Sequence, residues 1–182
     1  MRRVLLSLIV LTIVASAQQE DGPGDVPYIP TPPEVAEAML KLAGVRKADV
    51  VYDLGCGDGR IVIMAARKFE ARGTGVDISP ERVREAEENA LRAGVSGQVR
   101  FIEQNLFSTD FREATVIALY LLPELNLRLR PKLLKDLRTG ARIVSHRFDM
   151  GDWKPDRQVV VNGESIYLWI VTERARTQFG KR

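Results

Sequence analysis

Val50-Val51-Tyr52-Asp53-Leu54-Gly55-Cys56-Gly57-Asp58-Gly59-Arg60 reads as a buried strand, a tight turn and the start of a helix. The apolar run has strand length, and three alternating glycines separate it from a helical pattern that begins near Ile61. Glycine lacks a Cβ, so the turn accepts unusual backbone angles and lets a ligand come close to the main chain. The spacing is G-x-G-x-G, not the G-x-G-x-x-G of dinucleotide-binding turns. A pyrophosphate needs bare N–H groups at a positive helix end, whereas here Asp53 precedes the turn and Asp58 lies inside it. Two carboxylates repel a phosphate and suit a ligand with cationic groups. This sets a dinucleotide oxidoreductase aside.

The segments after the turn alternate between strand and helix patterns. A helix over 60–69 leads to a strand at Gly73–Asp77, so Asp77 closes the second strand 24 residues after Asp53. An acid there commonly accepts both ribose hydroxyls of a bound nucleoside. Ser79 and Pro80 start a helix over Glu81–Ala93, with Val83, Ala86, Ala90 and Leu91 directed at a core and Gly94 ending it. Further strands follow at Val99–Glu103, Thr115–Tyr120 and Ala141–His146, and the leucine-rich 121–137, broken by Pro123 and Pro131, forms one or two helices. Asn162-Gly163 joins Gln158–Val161 and Ser165–Val171 into a hairpin. The pattern predicts one α/β domain: a mostly parallel sheet with a C-terminal antiparallel hairpin and helices on both faces.

Residues at the C-terminal ends of parallel strands line the ligand crevice, which places Tyr120 beside the reacting atoms. His146 also falls at a strand end. A lone histidine is usually a structural polar group, and with one His and one Cys no metal site is expected. Phe148-Asp149-Met150-Gly151-Asp152-Trp153 is either a turn around a core Trp or an acidic and aromatic rim for a cation.

Ahead of the turn, Pro27-Tyr28-Ile29-Pro30-Thr31-Pro32-Pro33-Glu34 starts a helix running to about Ala43, with Val35, Met39 and Leu42 on its apolar face. Thr31 and Glu34 have capping-box spacing. Tyr28 and Thr31 are alternatively a lid over the ligand. Arg2 and Arg3, the apolar Val4–Val14 and Ala15-Ser16-Ala17 read as a secretory signal cleaved after Ala17, or as an N-terminal anchor if uncleaved. The apolar run is shorter than the roughly 20 residues a spanning helix needs. Residues 18–27 read as a linker, 28–173 as the domain and 174–182 as a solvated basic tail. Removing 1–17 changes 27 basic against 24 acidic residues to 25 against 24, so the domain is nearly neutral and nothing in it demands nucleic acid. Cys56 is the only cysteine, which excludes an intrachain disulfide.

Asp53-x-Gly55-x-Gly57-x-Gly59 after an apolar strand resembles motif I of the class I S-adenosylmethionine-dependent methyltransferases, whose donor carries an ammonium and a sulfonium and no phosphate. The resemblance extends through Pro-Tyr-Ile-Pro-Thr-Pro at 27–32, Leu-Tyr-Leu-Leu-Pro at 119–123, Leu-Arg-Pro-Lys-Leu at 129–133, Ser-His at 145–146, Asp-Met-Gly-Asp-Trp at 149–153 and Ile-Tyr-Leu-Trp at 166–169. Together these are similar to the family of archaeal broad-specificity protein-lysine methyltransferases and the mitochondrial enzyme that methylates the c-ring protein of ATP synthase, over about residues 26–171. The resemblance implies a seven-stranded Rossmann-like fold, S-adenosylmethionine as donor and lysine side chains as acceptors. It implies cofactor contacts from Tyr28, Thr31, Asp53, Gly55, Gly57, Asp58, Gly59 and Asp77. It also implies one from Asn105, which stands where the family has an acid accepting the adenine amino group.

On the acceptor side, Tyr120 is expected to orient the amine, Asp149 and Asp152 to recruit the cation, and burial against Tyr120 and Trp153 to lower the lysine pKa. The expected partner is a protein with an exposed lysine, soluble or membrane-associated, with membrane contact only through an uncleaved N-terminus. An export signal conflicts with the cytosolic origin of the donor. Methyl transfer to a small molecule or lipid, and an exported non-catalytic binding module, are the competing readings. The sequence does not set the oligomeric state.

Overall fold

The computed structural model describes residues 29–180; the expected signal 1–17, the linker 18–27 and Tyr28 lie outside the described residues. Seven strands form one sheet in the order β3-β2-β1-β4-β5-β7-β6. They are β1 (Val50–Leu54), β2 (Arg72–Asp77), β3 (Val99–Glu103), β4 (Val116–Leu119), β5 (Arg142–His146), β6 (Arg157–Val161) and β7 (Glu164–Ile170). β1 to β5 are parallel, and the β6–β7 hairpin adds antiparallel through β7 on β5. This is the expected class I methyltransferase architecture, with the chain reversing direction in the sheet between β1 and β4.

Strand alternation builds two cores. Val51 of β1, Val116 and Ala118 of β4, Val144 of β5 and Ile166 and Leu168 of β7 pack under α1 (Pro33–Leu42) and α2 (Arg60–Phe69), and Ala90 of α3 (Pro80–Arg92) joins them. On the opposite face Tyr52, Leu54, Ile117, Leu119, Ile143 and Trp169 pack under α4 (Pro123–Asp136) and α5 (Glu173–Phe179). Asp53, Tyr120 and His146 share the parity of Val51, Ala118 and Val144. At the C-terminal ends of the adjacent strands β1, β4 and β5, they face the α1 and α2 side.

Four local expectations change. The Thr31 hydroxyl does not cap α1, whose N-cap is Pro32 with no side-chain bond; it lies instead 3.2 Å from His146 Nδ1. Leu91 is 71% exposed rather than core, because α3 turns only Ala86 and Ala90 fully inward. Pro131 does not break α4: Leu129, Leu133 and Leu134, all fully buried, carry the helix through the lost backbone bond. The segment expected as a solvated tail forms α5 over 173–179, capped by Thr172 and docked through Ala175 and Phe179.

Candidate functional site

The glycine turn closes on β2. Gly55 and Cys56 both donate to the Val76 carbonyl, at 2.8 and 3.0 Å, and Gly57 donates to Asp77 Oδ2 at 2.9 Å. Gly55 and Gly59 have φ of +85° and +78°, a region L side chains rarely adopt. A Cβ on Gly59 would lie 2.6 Å from the Phe101 ring and one on Gly55 2.9 Å from Leu121 Cδ2. Only glycine permits this path from β1 into the N-terminus of α2.

Asp53 is 3% exposed, and no donor among the described residues reaches its carboxylate. Burial, and then the nearby charges of Asp77 and Asp58, push its pKa well above the usual carboxylate range. A buried acid without a donor is unfavourable in the free protein and is the group a ligand cation would satisfy. Asp77 already accepts from Gly57 through one oxygen and from the Ser79 N–H, at 3.0 Å, through the other. Its four lone-pair directions leave acceptor capacity for a diol. The donor set therefore fits S-adenosylmethionine: carboxylates for its charge, an acid at the end of β2 for its ribose, and a turn with no side chains in the way.

Asp58 is not a free charge in the turn, since Arg60 Nε and Nη2 hold it at 2.9 and 2.7 Å. Arg60 Nη1 also donates to the Thr31 carbonyl at 2.9 Å. This joins the segment before α1 to the turn, a contact with no signal in the sequence. Asn105 Oδ1 accepts from the Phe107 N–H at 2.9 Å in an Asx turn.

On the other side of the crevice the Tyr120 ring lies 4.0 Å, centroid to centroid, from His146 and 6.3 Å from Phe148. His146 is 1% exposed. Burial lowers its pKa against the opposing pull of Glu164, with Arg147 lowering it further. The loop after β5 is firmly held. Ser145 Oγ donates to the Phe148 carbonyl at 2.7 Å, and Asn126 Nδ2 reaches that carbonyl and that of Asp149, both at 3.3 Å. Arg147 has a φ of +67°, strain those bonds support. The sequence reads His146 as a structural polar group and Phe148 as part of a turn or a rim and gives Asn126 no role, because their contacts cross from one strand end or helix to another.

Trp153 does not pack with Tyr120 and His146. It is 5% exposed and packs on Trp169 and Phe179, with ring centroids 6.1 Å away in both cases. This corrects its expected catalytic role: it is core, held on the α4 and α5 side of the sheet. Asp152 pairs with Arg130 of α4, whose side chain is 6% exposed and which also donates to the Met150 carbonyl at 2.8 Å, so its charge is engaged in anchoring the loop. Asp149 is exposed and accepts from the Gly151 N–H at 2.9 Å.

The ANTKMT methyltransferase domain family matches residues 53–157. A protein-lysine N-methyltransferase from Saccharolobus islandicus is 44% identical, the match covering 81% of this chain and 95% of that protein. The mouse adenine nucleotide translocase lysine N-methyltransferase is 35% identical over 76% of this chain, which spans 59% of the mouse protein's length. A crystal structure described as an RNA methyltransferase from Salinibacter ruber, in complex with S-adenosyl-L-homocysteine, is 52% identical with a TM-score of 0.79, covering 80% of this chain and 95% of that one. With its strand order, its glycine turn and these relatives, this chain belongs to the S-adenosylmethionine-dependent protein-lysine N-methyltransferase family defined by the ANTKMT methyltransferase domain.

Proposed function

We propose that this chain methylates lysine ε-amino groups of protein substrates at the Tyr120 side of the crevice. One observation carries the acceptor: the 44% identity to a protein-lysine N-methyltransferase over 95% of that relative's length. When bound, S-adenosylmethionine supplies a methyl group on a cationic sulfur, and the electron pair of the broken carbon–sulfur bond stays on sulfur as nitrogen takes the methyl. The chain's own contribution is alignment and exclusion of water. Asp53 holds the donor's cationic end, Asp77 its ribose, and Asn105 its adenine amino group through the remaining lone pair on Oδ1.

An acceptor lysine arrives mostly protonated, with an ordinary pKa of about 10.4. The Tyr120 and Phe148 rings attract that cation, and as water leaves they favour its neutral form. The Tyr120 hydroxyl, unbonded among the described residues, orients the amine, while Asp149 at the exposed rim draws the cation in. No described side chain is placed as a general base, so the proton leaves to solvent before transfer.

The Salinibacter structure's description favours RNA as a second acceptor class. Incubating the purified protein with S-adenosylmethionine labelled in its methyl group and with separated protein and RNA fractions decides between them. Label on lysine in the protein fraction is expected. Label confined to RNA overturns the lysine reading, and no transfer to either overturns both. The proposal extends to residues 1–17 as an export signal or anchor. N-terminal sequencing and membrane fractionation test it: a protein starting at its original N-terminus and recovered wholly in the soluble fraction overturns it.

A further inference from the structure

One imidazole joins the two sides of the site. His146, at the end of β5, is almost fully buried, and its ring and its two nitrogens meet three different elements. Nδ1 lies 3.2 Å from Thr31 Oγ1, in the segment leading into α1. The ring packs on Tyr120, at the end of β4, with 4.0 Å between centroids. Nε2 has no hydrogen-bond partner among the described residues and lies 3.5 Å from Glu164 Oε2 at the start of β7. Thr31 is also held from the other direction, its carbonyl accepting from Arg60, which grips Asp58 in the glycine turn. The chain of contacts therefore runs Glu164, His146, Thr31, Arg60, Asp58, from the outer hairpin to the cofactor turn.

We infer that His146 is a positioning residue for methyl transfer: through Thr31 it fixes the segment before α1 against the cofactor turn, and through its ring it sets the Tyr120 phenol. The inference rests on the methyltransferase reading above. Nothing in the geometry lets His146 act on the substrate itself, because both its nitrogens are enclosed by protein. With a carboxylate facing Nε2, the proton of the neutral ring belongs on Nε2, and Nδ1 accepts from the Thr31 hydroxyl. A second proton on Nδ1 would confront the hydroxyl hydrogen, so the arrangement seen here belongs to the neutral ring. The charged or titratable groups that face the ring are Glu164 from β7, Arg147 beside it and the Tyr120 phenol from β4; the α1 segment contributes only the Thr31 hydroxyl. Glu164 favours the proton, while burial and Arg147 oppose it.

His146→Phe keeps an aromatic ring under Tyr120 and deletes the Thr31 bond, and Thr31→Val deletes the same bond from the other side. The test is the S-adenosylmethionine Kd by calorimetry across about pH 4.5 to 8, spanning the ordinary histidine range, for the parent, each variant, the double variant and Glu164→Gln. Each single variant is expected to weaken binding by about threefold to tenfold, the range for one buried hydrogen bond. The double variant should be no worse than the weaker single, because both remove one contact. The parent's affinity should fall on the acid side of the ordinary histidine range through protonation of both Asp53 and His146; His146→Phe should keep only the Asp53 part of that fall, and Glu164→Gln should move the histidine inflection to lower pH. A parent-like Kd and pH profile in His146→Phe, or fully additive effects in the double variant, overturns the inference while leaving the methyltransferase reading intact. A parent that binds no S-adenosylmethionine overturns the reading itself. If His146→Phe does not fold, Thr31→Val and Glu164→Gln decide: unchanged affinity in the first and an unmoved inflection in the second overturn the inference.

Discussion

Asp53 is held at a cost to the free protein. Its carboxylate is buried beside two other acids without a donor. Asp53→Asn keeps the shape and removes the charge. The ligand-free protein is expected to become more stable, with Tm rising by about 2–4 °C for each kcal/mol recovered in a chain of this size. S-adenosylmethionine binding should weaken by at least about tenfold, the lower end for losing a hydrogen bond to a charged group. Thermal melting and calorimetry on the same preparation check both signs. Trp153 is the contrasting case. Trp153→Ala should destabilise by about 3–5 kcal/mol in denaturant unfolding, as for other large buried aromatics, while Trp153→Phe should retain the parent's KM for a lysine acceptor. A raised KM in the folded Phe variant would return Trp153 to the acceptor side. The sequence left this Trp ambiguous, since an aromatic in a Gly- and Asp-containing loop fits a rim and a core equally well. Only its packing against Trp169 and Phe179 decides.

The loop between β5 and β6 behaves as a single element because α4 holds it from beneath. Arg130 is buried and donates to the Met150 carbonyl and to Asp152, and Asn126 donates to the carbonyls of Phe148 and Asp149. Asp152→Ala removes the partner of a buried guanidinium, so a loss of about 1–3 kcal/mol is expected in denaturant melts, with no change in KM for lysine; a raised KM would mean that Asp152 recruits the cation after all. α5 illustrates why the C-terminal segment reads as a tail. It is rich in charge, yet Ala175 and Phe179 face the core at a four-residue spacing, which two apolar residues alone are too few to signal. β1, α2, β3 and the Asn162-Gly163 hairpin were legible, because each carries its own period, boundary residues or turn chemistry over a few positions.

Across the whole molecule, two buried titrating groups act on stability in opposite directions. Asp53 binds a proton more readily in the fold than in the unfolded chain. Its stabilising contribution is complete below the ordinary Asp value and lost as pH rises through its raised folded value. His146 binds a proton less readily in the fold, so its contribution is complete above the ordinary histidine value of 6.5 and lost as pH falls towards its lowered folded value. Stability of the ligand-free protein against pH should therefore fall less steeply on the acid side in His146→Phe than in the parent. Asp53→Asn should lose less stability than the parent as pH rises above the carboxylate range. Parallel urea titrations at several pH values measure both, and identical pH slopes in the parent and either variant would contradict that residue's assignment.

The sequence by itself determined the sheet's main features and the glycine turn, because those depend on local backbone chemistry and on the two-residue and 3.6-residue periods, and its resemblance to motif I named the donor class. Tertiary structure alone decided which side chains meet around Tyr120. His146 against Tyr120 and Thr31, Arg60 between Thr31 and Asp58, and Trp153 in the core are contacts no local pattern announces. Parallel strands bring their ends together only through the sheet, so the order of residues along the chain does not record which ends become neighbours.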